Sequence, residues 1–157
     1  MSNATRATQF LARHRVNFTL HHYDYDSDAD RIGMAAAEAL NAPPARVLKT
    51  LMAIVDGKPV CVVLPSDREV SMKKLAAVFG GKHAEMMKPA DAERLTGYRV
   101  GGISPFGQRK SVPAVFEEAA LAEPRVFMNG GQRGLQVELD PKDALRALGA
   151  TAAPVAA

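Results

Sequence analysis

The residues of this chain best suited to chemistry cluster in Thr96-Gly97-Tyr98-Arg99-Val100-Gly101-Gly102-Ile103-Ser104-Pro105-Phe106-Gly107-Gln108. Glycine has no Cβ, so its backbone can take positive φ and approach a ligand closely. Pro105 fixes its own φ and restricts Ser104, which gives the loop a defined shape. A loop of this kind can turn successive N–H groups toward an anionic or carbonyl oxygen. The alternative is a plain connection between strands, with the glycines serving only the turn. The second carrier is Lys49, a cation at the start of the apolar run Val47–Val55. Such a lysine either snorkels to solvent or is held at a site. Facing a Gly-rich loop, it would suit an anionic group or a developing oxyanion. Tyr23 and Thr50 could add hydroxyls to that pocket.

Other chemistries find little support. His21 and His22 are adjacent and point to opposite faces of a strand, while His14 and His83 lack a partner at metal-ligand spacing. No metal site is expected. The single cysteine, Cys61, excludes an internal disulfide framework and reads as a small hydrophobe in an apolar strand. No G-x-S-x-G elbow occurs, and Ser104 has no base near it in sequence. No G-x-G-x-x-G opens a helix after a strand, and no cofactor is expected.

The elements that must position these residues follow from pattern. Thr5–Arg15 carries apolar residues at helical spacing, and Val16–Tyr23 alternates as a half-buried strand does. Asp24–Asp28 is a polar break; Ile32–Leu40 favours a helix with Asp30 as N-cap, stopped by Asn41-Ala42-Pro43-Pro44. Val47–Val55 and Pro59–Leu64 flank Asp56-Gly57 as a hairpin, apolar enough for burial on both faces. Ser71–Phe79 is a helix ended by Gly80-Gly81, His83–Met86 a short strand, and Pro89–Leu95 a short helix. Strands follow at Val112–Phe116, Arg125–Met128 and Leu135–Leu139, with a turn at Asn129–Gly134. Asp140 and Pro141 open a last helix that runs to Leu148, and the Ala-rich tail from Thr151 is expected to fray. This mixture predicts an α+β fold, one domain over residues 1–157 with a curved, barrel-like mixed sheet flanked by helices.

Hydrophobic residues make up 47% of the chain and charged ones 24%, enough for a real core and unlike a disordered chain. No apolar run reaches the roughly 20 residues that cross a bilayer, so no membrane partner is expected. Met1–Arg6 lacks the apolar region of a secretory signal, and the cytoplasm is the expected compartment. Net charge is +3. Lys73, Lys74, Lys82, Lys88, Arg109, Lys110 and Arg133 surround the Gly-rich stretch in sequence, as a solvated surface or as a bed for a phosphate backbone.

The run from Thr96 to Lys110 resembles the signature of the YbaK/EbsC family, free-standing relatives of the editing domain inserted in bacterial prolyl-tRNA synthetase. Val47-Leu48-Lys49-Thr50-Leu51 is similar to the family's lysine-threonine strand, and Asn129–Leu139 to its C-terminal turn and strand. The helix-strand opening Ala4–Tyr23 follows the family too. The resemblance implies the family's editing-domain fold and removal of a wrong amino acid from tRNA, in the nearest branch cysteine from Cys-tRNA(Pro). A synthetase pocket rejects a near-isostere by only about 1–3 kcal/mol, so a second sieve is useful. In that branch the substrate thiol attacks its own ester and releases a thiolactone; the protein only orients groups and stabilises charge. Carried over, Lys49 is the catalytic or phosphate-contacting cation. Tyr23 and Thr50 shape the pocket, the amides of Gly101, Gly102 and Ile103 bind the carbonyl or ribose end, and Ser104, Pro105, Asn129, Gly130 and Gln136 complete the substrate site. Basic residues hold the acceptor end of the mischarged tRNA, with prolyl-tRNA synthetase as the implied protein partner. Asn129 stands where the cysteine branch has serine, and Gln136 where it has aspartate, which removes a charge able to hold the α-amino group. Two other readings stay open: an alanine editor using an activated water, and a non-catalytic module that binds the tRNA 3′ end or a synthetase. A generic small-molecule hydrolase would need no basic rim.

Overall fold

The computed structural model describes residues 4–25 and 32–157, and three of its α-helices begin where a side chain accepts an orphan N–H of the first turn. Helix α1 (Arg6–Arg13) opens on a reciprocal capping box between Thr5 and Thr8. Strand β1 (Thr19–His22) and helix α2 (Ile32–Ala39) follow; Asp30 and Asp26–Asp28 lie outside the described residues. Strands β2 (Leu48–Val55) and β3 (Lys58–Pro65) form the expected hairpin about Asp56-Gly57. Helix α3 (Met72–Val78) is capped by Ser71, whose hydroxyl accepts from the Lys74 amide. Next come β4 (Ala84–Met86), α4 (Pro89–Thr96), β5 (Ala114–Glu117), β6 (Val126–Asn129) and β7 (Leu135–Leu139). Helix α5 (Pro141–Leu148) has Asp140 as N-cap and Gly149, left-handed at φ +62°, as C-cap.

The strands make two sheets. One has the order β1-β7-β6, all antiparallel; the other runs β4-β2-β3-β5-β8, where β8 is Thr151–Ala153, with β3-β5 and β5-β8 parallel. A parallel bridge from Val47 to Phe127 links them just before β2. The expected α+β fold with mixed strands is therefore present. The curved surface is built from two joined sheets and does not close into a barrel.

Both faces of the β2-β3 hairpin are covered, as its apolar pattern predicts. Met52, Cys61 and Val63 pack with Leu11, Phe106, Phe116, Met128 and Val137 in the main core. On the other face Ala53, Val60, Val62 and Val115 pack against Leu75 and Ala76 of α3 and against Val155.

The C-terminal tail departs from the expected fraying. Thr151–Ala153 forms β8 alongside β5, and Val155 and Ala156 are buried. The physical reason is Glu117, itself buried at the end of β5. Its Oε1 accepts from the Val155 and Ala156 amides, each at 3.0 Å, and its Oε2 from the Ala119 amide at 2.8 Å. Burial alone would raise this carboxyl's pKa; the three N–H groups outweigh it and hold the pKa below the usual value. The tail in turn fixes the segment after β3. The Ala157 amide donates to the Glu69 carbonyl, the Ser71 amide to the Val155 carbonyl, and Val70 bridges Ala156.

Candidate active site

The start of β2 leaves its outer edge uncovered: β4 pairs only with Ala53–Val55, so Lys49, Thr50 and Leu51 have a strand on one side only. A cavity of about 410 Å³ opens at that edge. Its walls are β2, the Asn129 and Gln136 pair of β6 and β7, Met86 to Ala92 around the start of α4, and the Val100–Ile103 part of the Gly-rich loop. Most of the lining is apolar, and the few polar groups are distinctive.

Thr50 Oγ1 and Gln136 Oε1 are both buried without a hydrogen-bond partner among the described residues. Such an atom normally costs about 1–3 kcal/mol, so two of them in one cavity mark it as built for a ligand that supplies a donor or an acceptor. The Gln136 side chain interacts with the Tyr23 hydroxyl, which fits an amide nitrogen turned to Tyr23 and an oxygen left open. Burial, the largest influence on Tyr23, raises its pKa, and the Gln136 and Gly134 hydrogen bonds only partly oppose it. The phenol therefore keeps its proton at neutral pH and remains a donor.

Lys49 does not project freely into solvent. Its side chain is 19% exposed and its Nζ lies 3.6 Å from Glu69 Oε1, at the mouth of the cavity. Glu69 sits in the segment that the C-terminal tail pins. Ser66 also reaches the cavity, its hydroxyl donating to the Val47 carbonyl.

The Gly-rich loop divides in two. Gly101 and Ile103 line the cavity, and among the described residues nothing accepts from their amides. Gly102 differs from the expectation: its amide donates to the Arg99 carbonyl at 2.7 Å, so it closes a turn and is not free for a ligand. A Cβ at Gly102 would meet the Arg133 backbone nitrogen at 2.9 Å, so glycine serves close packing there. Ser104 is fully buried and accepts from the Phe106 amide. Pro105 is buried away from this cavity, and Gly130 is tied by its own N–H to Leu135 and by its carbonyl to the Thr5 hydroxyl. None of Gly102, Ser104, Pro105 and Gly130 lines the cavity; Lys49, Tyr23, Thr50, Gly101, Ile103, Asn129 and Gln136 do.

Asn129 and Gln136 face each other across the β6-β7 ladder, yet their states are opposite. Asn129 is spent on the fold. Its Nδ2 donates to the Gly101 carbonyl at 3.1 Å, and its Oδ1 accepts from the Gly131 and Gln132 amides. It clamps the Gly-rich loop to the β6-β7 turn, and Arg133 adds a second clamp through its Nε to the Val100 carbonyl at 2.9 Å. Sequence reasoning missed Glu69, Ser66, Met86 and Met87. Only the acidic residue soon after a buried strand offered a signal, and nothing local placed it beside Lys49.

Among the described residues the lining offers no cysteine, histidine or aspartate, and its single carboxylate, Glu69, is beside Lys49. The cavity can position a ligand, satisfy it with a few hydroxyl and amide groups and present one cation.

A family model described as an aminoacyl-tRNA editing domain matches residues 27–147. A protein of Enterococcus faecalis provisionally named the Cys-tRNA(Pro)/Cys-tRNA(Cys) deacylase EbsC is 34% identical over 140 residues, 88% of this chain and 84% of that one. A proline–tRNA ligase of Acidithiobacillus ferrooxidans is 32% identical over 85 residues, which are 54% of this chain and 15% of the ligase. A crystal structure described as a trans-editing enzyme for prolyl tRNA synthetase superposes with a TM-score of 0.84 at 22% identity, covering 100% of this chain and 98% of that one; it supports the fold. The chain belongs to the YbaK/EbsC family of aminoacyl-tRNA editing domains.

Proposed function

We propose that this protein is a trans-editing deacylase that removes cysteine from Cys-tRNA(Pro), with the substrate's own thiol as the nucleophile. The observation that supports the reading is the pocket's chemistry: among the described residues its wall holds two buried, unpartnered oxygens and a lysine, and no cysteine, histidine or aspartate. A substrate that brings its own nucleophile asks only for orientation and charge stabilisation. Gln136 Oε1 accepts from the α-ammonium, a neutral replacement for a carboxylate at that point. The Thr50 hydroxyl and the Gly101 and Ile103 amides donate to the ester carbonyl oxygen as negative charge grows on it, and Lys49 holds the terminal phosphate or that same oxygen. The substrate Sγ bonds to the carbonyl carbon as the bond from that carbon to the ribose oxygen breaks. The thiol proton passes to the ribose hydroxyl, leaving a thiolactone and uncharged tRNA. The similarity to EbsC and to proline–tRNA ligases supports proline tRNA as the carrier and prolyl-tRNA synthetase as the partner.

The test is single-turnover deacylation of Cys-tRNA(Pro), Ala-tRNA(Pro) and Pro-tRNA(Pro) by the wild type and by Lys49→Ala. Rapid loss of the cysteinyl ester alone, abolished in the variant, is the expected result. Preferential loss of alanine would replace the thiol route by attack of water. Survival of all three esters would leave a binding module.

A further inference from the structure

A second cavity, of about 440 Å³, lies beyond the far half of the Gly-rich loop and has nothing assigned to it. Its polar wall consists of Arg6, Gln9 and Arg13 of α1 together with Gln108 and Ser111. Positions 6, 9 and 13 are spaced to lie along one helical face, and all three residues line the cavity. No carboxylate among the described residues pairs with Arg6, Arg13 or Arg109. Arg109, outside the lining, lies near Arg6 at the cavity's edge: Arg6 Nη1 and Arg109 Nε fall 2.5 and 3.6 Å from where a Cβ would stand on Gly97. Two like charges side by side repel unless an anion joins them. The C-terminal dipole of α4, about half a charge, offsets only part of one.

We infer that this cavity is a phosphate-binding site that holds the sugar-phosphate backbone of the tRNA while the aminoacylated end occupies the first cavity; the inference rests on the editing function proposed above. One loop borders both cavities, lining the first through Gly101 and Ile103 and the second through Pro105, Gly107 and Gln108. Ile103 to Gln108 can span at most about 17 Å of chain. That is at most roughly five nucleotides at the 3.4 Å axial rise of a stacked strand, and fewer for an extended one, short enough for one strand to reach from either cavity to the other. The loop is also anchored to the arginine helix, because Gly107 (φ +66°) packs where any Cβ would strike the Arg6 carbonyl. The Cα atoms of Arg6 and Arg13 are about 10 Å apart along the helix axis, enough to contact separate phosphates. The same spacing suits an extended strand of regularly placed charges better than a single small anion.

The test is a double variant, Arg6→Gln with Arg13→Gln, on the intact chain. Both are exposed, and glutamine keeps the helix propensity. Binding of uncharged tRNA is followed by fluorescence anisotropy from 50 to 200 mM NaCl, alongside deacylation of a cysteinylated CCA trinucleotide. The expected result is weaker tRNA binding, with the slope of log K against log salt reduced by about 1–2, and trinucleotide turnover within about twofold of wild type. An unchanged slope overturns the inference, as does an equal loss on the trinucleotide, which would tie the arginines to the first cavity. An unchanged slope with lost binding to purified prolyl-tRNA synthetase also overturns it and makes the cavity a protein contact. Because the binding arm uses uncharged tRNA, a reduced slope without any deacylation upholds the inference while the editing reading fails.

Discussion

The two cavities flanking the Gly-rich loop are similar in volume and opposite in design. The first is mostly apolar, and its decisive groups are buried oxygens without partners among the described residues, Thr50 Oγ1 and Gln136 Oε1. The second is polar, and its decisive groups are exposed guanidiniums without counter-charges among the described residues. In a dry site each hydrogen bond to a ligand is strong, and the ligand's shape and polarity are read closely. In a wet site the same number of contacts gives affinity that salt can screen. On the proposed reading the difference is a division of labour: chemistry and amino-acid choice on one side of the loop, grip on the carrier on the other.

That division predicts a graded set of effects. The largest is expected from Lys49→Ala, about 10²–10³-fold in single-turnover deacylation, as when an oxyanion-stabilising group is lost. tRNA binding should change far less, and an equal loss in both would break the comparison by making Lys49 a carrier contact.

Gln136→Leu should come next, with about 10–100-fold slower cysteinyl transfer and a stability change of no more than about 1 kcal/mol, since removing the unsatisfied oxygen offsets the lost hydrogen bond to Tyr23. Gln136→Asp restores a charge for the α-ammonium and should instead lower KM. If Gln136→Leu unfolds the protein, the amide is a core group and the first cavity has lost half its argument.

Glu117 sharpens the contrast from a distance. Glu117→Ala strands two buried N–H groups, costing about 1–3 kcal/mol for each, and frees the tail that positions the Glu69 segment. Hydrogen exchange should rise at residues 66–71 and deacylation should fall, while the salt slope of tRNA binding stays put. Because the folded-state pKa of Glu117 is depressed below 4.5, its stabilisation is complete above that unfolded value and disappears as pH falls through the folded one. Acid melts of wild type and Glu117→Gln should therefore converge at low pH and diverge toward neutrality. The smallest effect belongs to Thr50→Val, about tenfold in rate with a gain of up to about 1 kcal/mol in stability, measured by denaturant melts. A stability loss there would mean that Thr50 has a structural partner.

Much of this was legible before any fold was drawn. The β2-β3 hairpin announces itself through Asp56-Gly57 between apolar runs, and α3, α4 and α5 through Ser71, Pro89 and Asp140 with Pro141 at their starts. These are local signals, set within a few residues. Lys49, Thr50 and Gly101 were likewise marked by residue type in context. The fate of each Gly-rich amide was not: Gly101 and Gly102 are neighbours, yet only one is spent on a turn, and Ser104 looks chemical but is buried beneath the loop.

Sequence alone, then, determined the element types, the apolar hairpin at the centre, the family, and the lysine-plus-glycine character of the site, because propensity, capping and alternation act over short stretches of chain. Tertiary structure decided what depends on partners far apart in the chain. It turned an Ala-rich tail into a buried strand because Glu117, 38 residues before Val155, offers a carboxylate to its amides. It set Asn129 to clamp the loop and left its cross-strand partner Gln136 open to the cavity. It brought Arg6 of the first helix against Arg109 past the loop. Charge and hydrogen-bond satisfaction are settled pairwise in space, and no spacing within the chain records those pairs.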